Sequence, residues 1–286
     1  MEFSKGHKIR FYLLLAYYKL TSWMECRNLR LKVFTNEFIF LFHSLLKYKK
    51  LTSKDSSIIE IKTRFGNFMI RDISVDVTIA SPSYERLDLN ELILLIDNAL
   101  QNKHKVLFID IGASFGKFTI SIGNHFKHNA KNLKILSFEP EPMSFRLLNS
   151  NVHINRLHNI QTFNIALSDK NGVNKFYYFE PMKQIVSFQT TKSIKIKTAK
   201  LDNYLKSVIK NDNVDFFIKL DVEEHEMNVL RGCTKTLKSF LNITLLVEDS
   251  MSTKDQKLTK YLLSNGTFLR KVTTYNSFWK LGSSKH

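Results

Sequence analysis

Short apolar runs alternate with helical stripes of apolar residues along most of the chain after residue 104. The runs predict strands at 105–110, 134–139, 160–167, 214–220 and 242–248. The stripes predict helices at 116–127, 143–155, 225–239 and 253–264. Two further strands are expected at 267–273 and 277–282. Alternation followed by a closing hairpin predicts an α/β fold, in which a mostly parallel sheet has helices on both faces.

The segment before this alternation predicts smaller elements. Residues 58–87 favour short strands, with Phe65-Gly66-Asn67 as a tight turn between two apolar-rich arms. Asp88 is typical of a helix N-cap, and Glu91, three residues later, completes a capping-box pattern. A helix is therefore expected over residues 89–100.

The first 57 residues differ in composition from the rest of the chain. Aromatic residues are interleaved with eleven Lys and Arg against four Asp and Glu, a net charge of +7. The helical spacing of Phe34, Phe38 and Leu41 predicts amphipathic helices. Their role stays open between attachment to a membrane surface or on the substrate side, and a cap on the main domain or on a second copy in a homodimer. The apolar run at 11–18 is too short to span a bilayer.

The whole chain carries a net charge of +17, which favours anionic partners. Its two cysteines are too few for a disulfide framework, and no export signal is evident. A cytoplasmic protein is therefore expected, peripheral to a membrane if residues 1–57 bind one. Seven Lys and one Asp lie between residues 183 and 210, and Lys195 and Lys197 are expected on one face of a strand. This segment predicts either a solvated edge or a contact with a phosphate-bearing acceptor.

A glycine loop follows the strand at 105–110. The strand ends in Asp110, and the loop contains Gly112, Ala113, Ser114 and Gly116. Open α/β folds bind nucleotide-like cofactors at such a loop, where glycines let the backbone approach the ligand. A dinucleotide fingerprint is excluded because Ser114 and Lys117 occupy two of its glycine positions.

The end of the next strand narrows the choice of cofactor. Glu139, which precedes Pro140, offers two carboxylate oxygens that can accept both hydroxyls of a ribose. S-adenosyl-L-methionine fits this pattern, with its methionine part near Gly112. Ser168 and Asp169 end the third strand and are expected at the adenine edge. The predicted cofactor-binding residues are Asp110, Gly112, Ala113, Ser114, Gly116, Glu139, Pro140, Ser168 and Asp169.

Several motifs occur in a fixed order along the chain: the Asp110–Gly116 loop, Phe138-Glu139-Pro140, the segments 164–169 and 200–205, and Ile218-Lys219-Leu220-Asp221-Val222-Glu223. In this order they resemble the FkbM-type S-adenosylmethionine-dependent methyltransferases, from about residue 85 to 250. The resemblance implies a Rossmann-like class I methyltransferase fold with a seven-stranded sheet, and activity that is usually on a hydroxyl group. We therefore expect a helical extension at 1–57 and a methyltransferase domain at 58–286.

Ionisable residues crowd the end of the fourth strand, at the sheet edge where α/β folds bind ligands. Asp221 is expected beside the reacting centre, Glu223 is a second catalytic candidate, and His225 is the general base favoured by its intrinsic pKa. Glu224 is a departure from the family, which usually has a glycine there for a tight turn or a close approach of substrate. Lys219, inside an apolar strand, needs Asp110 or Asp221 as a carboxylate partner, or a route to solvent.

No metal site is predicted, because the spacing of Asp221, Glu248 and Asp249 specifies no geometry. The predicted function is O-methylation of a hydroxyl on a sugar, a glycan or a small metabolite, whose acceptor can be anionic. The alternatives are an RNA methyltransferase and a non-catalytic binding protein that keeps the fold. Nucleic acid is disfavoured, because the sequence has neither an amino-methylation motif of the Asn-Pro-Pro-Tyr type nor a recognisable RNA-binding module.

Overall fold

In the computed structural model of the protein, the described residues are 58–71, 76–177, 193–205, 214–240, 242–248, 256–273 and 275–282. The extension at 1–57 and Asp249 lie outside the described residues, and the domain boundary after residue 57 stays a prediction. The chain divides into two compact units, Met1–Arg86 with Tyr178–Lys192 and Leu87–Tyr177 with Ser193–His286. Among the helices in the described ranges, none is long and apolar enough to cross a membrane.

The described part of the first unit contains a hairpin and one helical turn: β1 (Ile58–Thr63), β2 (Gly66–Arg71) and α1 (Asp76–Ile79). The two strands pair antiparallel, which confirms the predicted hairpin. Its turn is Arg64-Phe65, and Gly66 and Asn67, which were expected in the turn, belong to β2. The reason is local, because the Thr63 hydroxyl accepts from the Phe65 N–H at 3.0 Å and donates to the Gly66 carbonyl at 3.1 Å.

A seven-stranded sheet and a smaller three-stranded sheet organise the second unit. The strands are β3 (Lys105–Ile111), β4 (Leu133–Phe138), β5 (Ile160–Phe163), β6 (Ala166–Leu167), β7 (Gly172–Tyr177), β8 (Ser193–Ala199), β9 (Val214–Leu220), β10 (Ile243–Glu248), β11 (Gly266–Lys271) and β12 (Asn276–Leu281). The large sheet has the order β11-β12-β10-β9-β3-β4-β5. Its β5, β4, β3, β9 and β10 run parallel, whereas β12 is antiparallel to both neighbours. This confirms the predicted fold class, including the closing hairpin.

Helices connect the parallel strands. They are α2 (Arg86–Gln101), α3 (Lys117–His125), α4 (Pro142–Ile154), α5 (Asp202–Leu205), α6 (Glu226–Gly232), α7 (Thr234–Ser239) and α8 (Gln256–Asn265). Strands β3 and β4 are buried along nearly their whole length, because apolar side chains on both sheet faces are covered. The carboxyl ends of β3, β4 and β9 therefore meet at one edge of the sheet, which is where an open α/β fold places a ligand.

Three predicted elements differ from the observed ones. The strand expected at 160–167 divides into β5 and β6, because the Asn164 amide between them donates to the carbonyls of Glu139 and Pro140 at 2.9 and 3.0 Å. The chain then leaves the large sheet, and β6 pairs with β8 in the small one. Asp88 is not an N-cap, because α2 begins at Arg86. The Asp88 carboxylate instead accepts from the Asn276 amide at 3.1 Å.

The helix expected at 225–239 is two helices, α6 and α7. The Asp202 carboxylate caps the start of α7, since it accepts from the backbone N–H groups of Lys235 and Thr236 at 3.1 and 2.9 Å. It also accepts from the Thr236 hydroxyl at 2.7 Å. A cap supplied from 34 residues away is invisible to a search for local capping patterns, which explains why the break was not predicted.

Candidate active site

The loop that follows β3 is held by backbone contacts on both sides. The N–H groups of Gly112 and Ala113 both donate to the Phe138 carbonyl at the end of β4, each at 3.0 Å. On the other side, a Cβ added to Gly112 would lie only 1.8 Å from the Asp221 carbonyl oxygen at the end of β9. Gly112 also has φ +80°, a conformation that side chains disfavour. The loop therefore requires glycine here for two independent reasons.

Glu139 joins this loop to the end of β4. Its Oε2 accepts from the Ser114 N–H at 2.8 Å, and its Oε1 accepts from the Glu141 N–H at 2.7 Å. The residue is 7% exposed. A carboxylate presents two oxygens side by side, which is the arrangement that the predicted contact with two ribose hydroxyls requires. The structure thus holds Glu139 in an orientation that fits the predicted ribose contact.

Glu141 is a residue of this corner that the sequence analysis missed. It is the N-cap of α4, where it accepts from the N–H groups of Met143 and Ser144 at 3.0 and 2.7 Å. The pattern that could have identified it is an acidic residue directly before Pro142, since proline is favoured in the first helical turn. Pro140 lies between the two glutamates and contributes its carbonyl to Asn164.

Asp110 lies behind the loop and is 1% exposed. Its Oδ2 accepts from the backbone N–H and the hydroxyl of Thr119 at 3.1 and 2.6 Å, which ties β3 to α3. Burial raises the pKa of the Asp110 carboxyl, an effect that the charge of Lys219 opposes. Asp110 Oδ1 is buried with no hydrogen-bond partner among the described residues. A direct contact of Asp110 with a cofactor stays a prediction, and the unmatched acceptor is consistent with one.

The loop ends at Gly116, which has φ +95° and precedes the first residue of α3. A Cβ there would lie 2.6 Å from Leu148 Cδ1 on α4, so the glycine lets the two helices approach. Ser114 has φ +51° although it is not a glycine. The hydrogen bond from its N–H to Glu139 stabilises this conformation. Gly112, Ser114 and Gly116 thus all have left-handed backbones, and they turn the loop sharply around the carboxyl end of β3.

A cluster of carboxylates follows β9, with one buried lysine beside it. We call Asp221, Glu223, Glu224, Glu226 and Glu248 the acidic cluster. Lys219, 6% exposed, forms an ion pair with Asp221 at 2.9 Å, which selects Asp221 from the two predicted partners. Its ammonium also lies 5.0 Å from the centroid of the Phe118 ring. The ion pair fixes the Asp221 carboxylate at the carboxyl end of β9, next to the Gly112 loop.

Two consecutive residues of the acidic cluster have left-handed backbones, Glu223 with φ +53° and Glu224 with φ +70°. Glu224 thus has a left-handed backbone, which a glycine at this position would adopt without strain. Glu226 closes the turn, because its Oε1 accepts from the Val222 N–H at 3.1 Å. Strain of this kind is frequently found at functional sites.

The environment of the acidic cluster shifts two of its pKa values. Loss of solvent, followed by the negative charges of Asp221 and Glu226, raises the pKa of Glu223 to about 7. Burial and the charges of Asp221 and Glu223 also raise the pKa of Glu248. The carboxylates of Asp221, Glu226 and Glu224 lie close enough to Glu223 for their negative charges to disfavour its ionised form. A carboxylate that titrates near neutral pH is suited to act as a general base.

His225 is bound at both ring nitrogens. Its Nε2 lies 3.0 Å from the Ser168 hydroxyl, and its Nδ1 lies 3.0 Å from the Asn228 amide nitrogen. Burial lowers the pKa of His225, although the charge of Asp169 opposes this. Ser168 Oγ is in turn 3.2 Å from an Asp169 carboxylate oxygen. His225 therefore connects the start of α6 to the predicted adenine edge, and its role as a general base stays a prediction.

Within the described ranges, no group of three or more His, Cys, Asp or Glu side chains is arranged to hold a metal ion. Asp249, one of the oxygen ligands considered from the sequence, lies outside those ranges.

The predicted cofactor-binding and catalytic residues form two groups in the structure. Glu139 joins the loop residues on one side of Gly112, and Asp221 joins Glu223 on the other.

The sequence matches known methyltransferases. The model of the methyltransferase FkbM domain family matches residues 110–270, which is more than half of the chain. A curated relative, Methyltransferase 1 of Beauveria bassiana (strain ARSEF 2860), is 25% identical over 146 residues, which is 43% of this chain and 57% of the relative. The match thus spans little more than half of the length of that relative.

Solved structures with similar chains include M. jannaschii TYW2 in complex with AdoMet, at 13% identity and a TM-score of 0.42, covering 81% of this chain and 90% of that one. The precorrin-6y C5,15-methyltransferase of Geobacter metallireducens GS-15 has 12% identity and a TM-score of 0.37, covering 66% and 85%. The family match rests on the sequence itself, and it begins at Asp110, the residue that opens the loop described above. The chain belongs to the FkbM methyltransferase family, and its cofactor is S-adenosyl-L-methionine.

Proposed function

We propose that the protein methylates a hydroxyl oxygen of a sugar, a glycan or a small metabolite. The observation that carries the proposal is the position of Glu223 together with its raised pKa. The Val222 side chain lies 3.4 Å from the place of a Cβ on Gly112, so the residue before Glu223 adjoins the cofactor loop. A carboxylate with a pKa of about 7 thus follows directly on the segment that touches the loop.

A base is useful because a neutral hydroxyl is a weak nucleophile. S-adenosyl-L-methionine supplies an electrophilic methyl group bound to a sulfonium. In the proposed reaction the acceptor oxygen forms a bond to that methyl carbon as the carbon–sulfur bond breaks. The hydroxyl proton passes to the Glu223 carboxylate, and the products are a methyl ether and S-adenosylhomocysteine. A positioned base contributes on the order of 10²–10⁴-fold to the rate of such a step.

Asp221 has a different role in this proposal. Its ion pair with Lys219 fixes one of its oxygens, so the carboxylate can accept a hydrogen bond from a second acceptor hydroxyl. Sugars offer neighbouring hydroxyls of this kind. The remaining carboxylates of the acidic cluster repel phosphate groups, which supports a neutral hydroxylated acceptor over an RNA or a nucleotide sugar.

The first experiment asks whether the protein is an active enzyme. Binding of S-adenosyl-L-methionine is measured by calorimetry, and transfer of its labelled methyl group is followed into the fractions of a cell extract. We expect binding, and label in a neutral, polyhydroxylated fraction that resists the mild base that cleaves methyl esters. No measurable binding would refute the enzyme, and label confined to RNA would refute the proposed acceptor class.

The second experiment separates Glu223 from His225. Glu223→Gln should lower turnover by on the order of 10²-fold or more while cofactor binding persists, because the amide cannot take the proton. His225→Gln should keep turnover within a few-fold, because glutamine can still form hydrogen bonds towards Ser168. Glu224→Gln is the matched control, since it removes one charge from the same turn. Equal losses in all three variants would contradict a specific role for Glu223.

A further inference from the structure

The small sheet of the second unit has one face that carries three lysines. Strand β8 lies between β6 and β7, and its pairing with β7 places Lys175 directly opposite Lys195 and Val173 directly opposite Lys197. Because side chains alternate along a strand, these four residues share one face. Lys175, Lys195 and Lys197 are all exposed, whereas Ile196 and Thr198 on the opposite face are buried. We call Lys175, Lys195 and Lys197 the lysine face.

The lysine face carries an unbalanced charge. Like charges directly opposite each other on paired strands destabilise a sheet, and Lys175 opposite Lys195 is such a pair. Lys197 adds a third positive charge two residues along the same strand. In the part of the chain that the structure describes, none of the three forms an ion pair. Repulsion among these three lysines destabilises the free protein, and binding of an anionic surface to the lysine face would relieve it.

The residue beside the lysines indicates which anionic surface fits. Val173, directly opposite Lys197, is 61% exposed. An aliphatic side chain gains nothing from the sugar-phosphate backbone of a nucleic acid, but it gains free energy in the apolar part of a bilayer. We propose that the lysine face docks on a membrane that contains acidic phospholipids, with Val173 inserted past the head groups into the edge of the apolar region.

The sheet also connects this face to the candidate active site. The Ser168 N–H donates to the carbonyl of Ala199 at 2.8 Å, and Ala199 lies two residues after Lys197 on β8. Docking through the lysine face would therefore hold the predicted adenine edge, and the acceptor side next to it, close to the membrane surface. The interaction is a property of the surface, and it does not depend on which acceptor is methylated.

The test is sedimentation of the full chain with vesicles of phosphatidylcholine alone and with vesicles that also contain phosphatidylserine. The lysine-face variant combines Lys175→Gln, Lys195→Gln and Lys197→Gln. The matched control combines Lys131→Gln, Lys134→Gln and Lys260→Gln, three exposed lysines elsewhere in the second unit, so that both variants lose the same net charge. Folding of each variant is verified by its melting curve and by calorimetric binding of S-adenosyl-L-methionine.

A lysine at an acidic membrane surface contributes roughly fivefold to the partition coefficient. We expect the lysine-face variant to bind acidic vesicles on the order of 100-fold more weakly than the wild type, the control variant to lose only a few-fold, and a triple Lys→Arg variant to retain binding. Equal losses in the two glutamine variants would overturn the proposal, as would equal wild-type binding to neutral vesicles. Binding of single-stranded RNA with the same dependence, in the absence of vesicle binding, would assign the face to nucleic acid instead.

Discussion

Replacement of Gly112 by alanine tests how the cofactor loop is built. The added Cβ would lie 1.8 Å from the Asp221 carbonyl oxygen and 3.0 Å from its carbonyl carbon, so it falls short of the 3.4 Å of ordinary contact by roughly 1.6 Å. Hydrogen bonds restrain the backbone on both sides of this contact, so neither Gly112 nor Asp221 can move away easily. The Gly112 N–H is bonded to Phe138, and the Asp221 N–H is bonded to Ile111 at 3.1 Å.

The expected cost has three parts. A left-handed alanine costs about 1–2 kcal/mol, crowding in a packed region costs about 1–3 kcal/mol, and a loosened backbone hydrogen bond adds about 1 kcal/mol. We therefore expect Gly112→Ala to lower the free energy of unfolding by about 3 kcal/mol or more. Cofactor binding should be lost as well, because the loop must move away from β9.

Urea unfolding and calorimetry with S-adenosyl-L-methionine measure the two effects. The control is Gly172→Ala, which also places alanine at a positive φ, +158°, but where the nearest atom to the added Cβ is Thr198 Oγ1 at 3.8 Å. Without the crowding, we expect a smaller loss of about 1–2 kcal/mol and unchanged cofactor binding. If Gly112→Ala costs less than about 1 kcal/mol and keeps wild-type affinity, the loop is not confined by the end of β9 and the description of the site is wrong.

Four further predictions follow from the same site. Glu224→Gly should raise the free energy of unfolding, measured by urea titration, by up to about 1 kcal/mol, because glycine adopts φ +70° without the strain that glutamate has there. A loss of stability would contradict this expectation. Turnover should rise with pH through about 7, where Glu223 loses its proton, and Glu224→Gln should move this rise to lower pH because it removes a charge that raises the pKa. Since the folded state keeps the Glu223 proton up to about pH 7 while the unfolded state releases it near 4.5, the free energy of unfolding should fall as pH rises across that window. Glu223→Gln should reduce this dependence of the free energy of unfolding on pH, and an unchanged dependence would refute the raised pKa of Glu223. Glu139→Ala should abolish cofactor binding in calorimetry, because it removes both the ribose acceptor and the partner of the Ser114 N–H; wild-type affinity would refute the ribose assignment.

The order and type of most elements could be predicted from the sequence, because periodicity is a property of short windows. The run at 105–110 became β3 with one residue added, and the strand at 214–220 is β9 as expected. The predictions failed where a distant side chain intervened. The strand predicted at 160–167 is divided where the Asn164 amide donates to the Glu139 carbonyl. The helix predicted at 225–239 is divided where the Asp202 carboxylate accepts from the Thr236 N–H at the start of α7.

The candidate site divides in the same way. The sequence by itself determined that a glycine loop follows β3 and that an acid ends β4, because the local backbone demands glycine at Gly112 and the strand must end where polar residues begin. Only the tertiary structure decided which groups these residues meet. Ser168 lies 57 residues from His225 in the chain, yet its hydroxyl lies 3.0 Å from His225 Nε2 in the folded protein. Burial in the folded protein raises the pKa of Glu223, and the negative charges of Asp221 and Glu226 in the turn after β9 add to that rise. Charge repulsion and hydrogen bonding depend on distance in space, which the folded sheet sets and spacing along the chain does not.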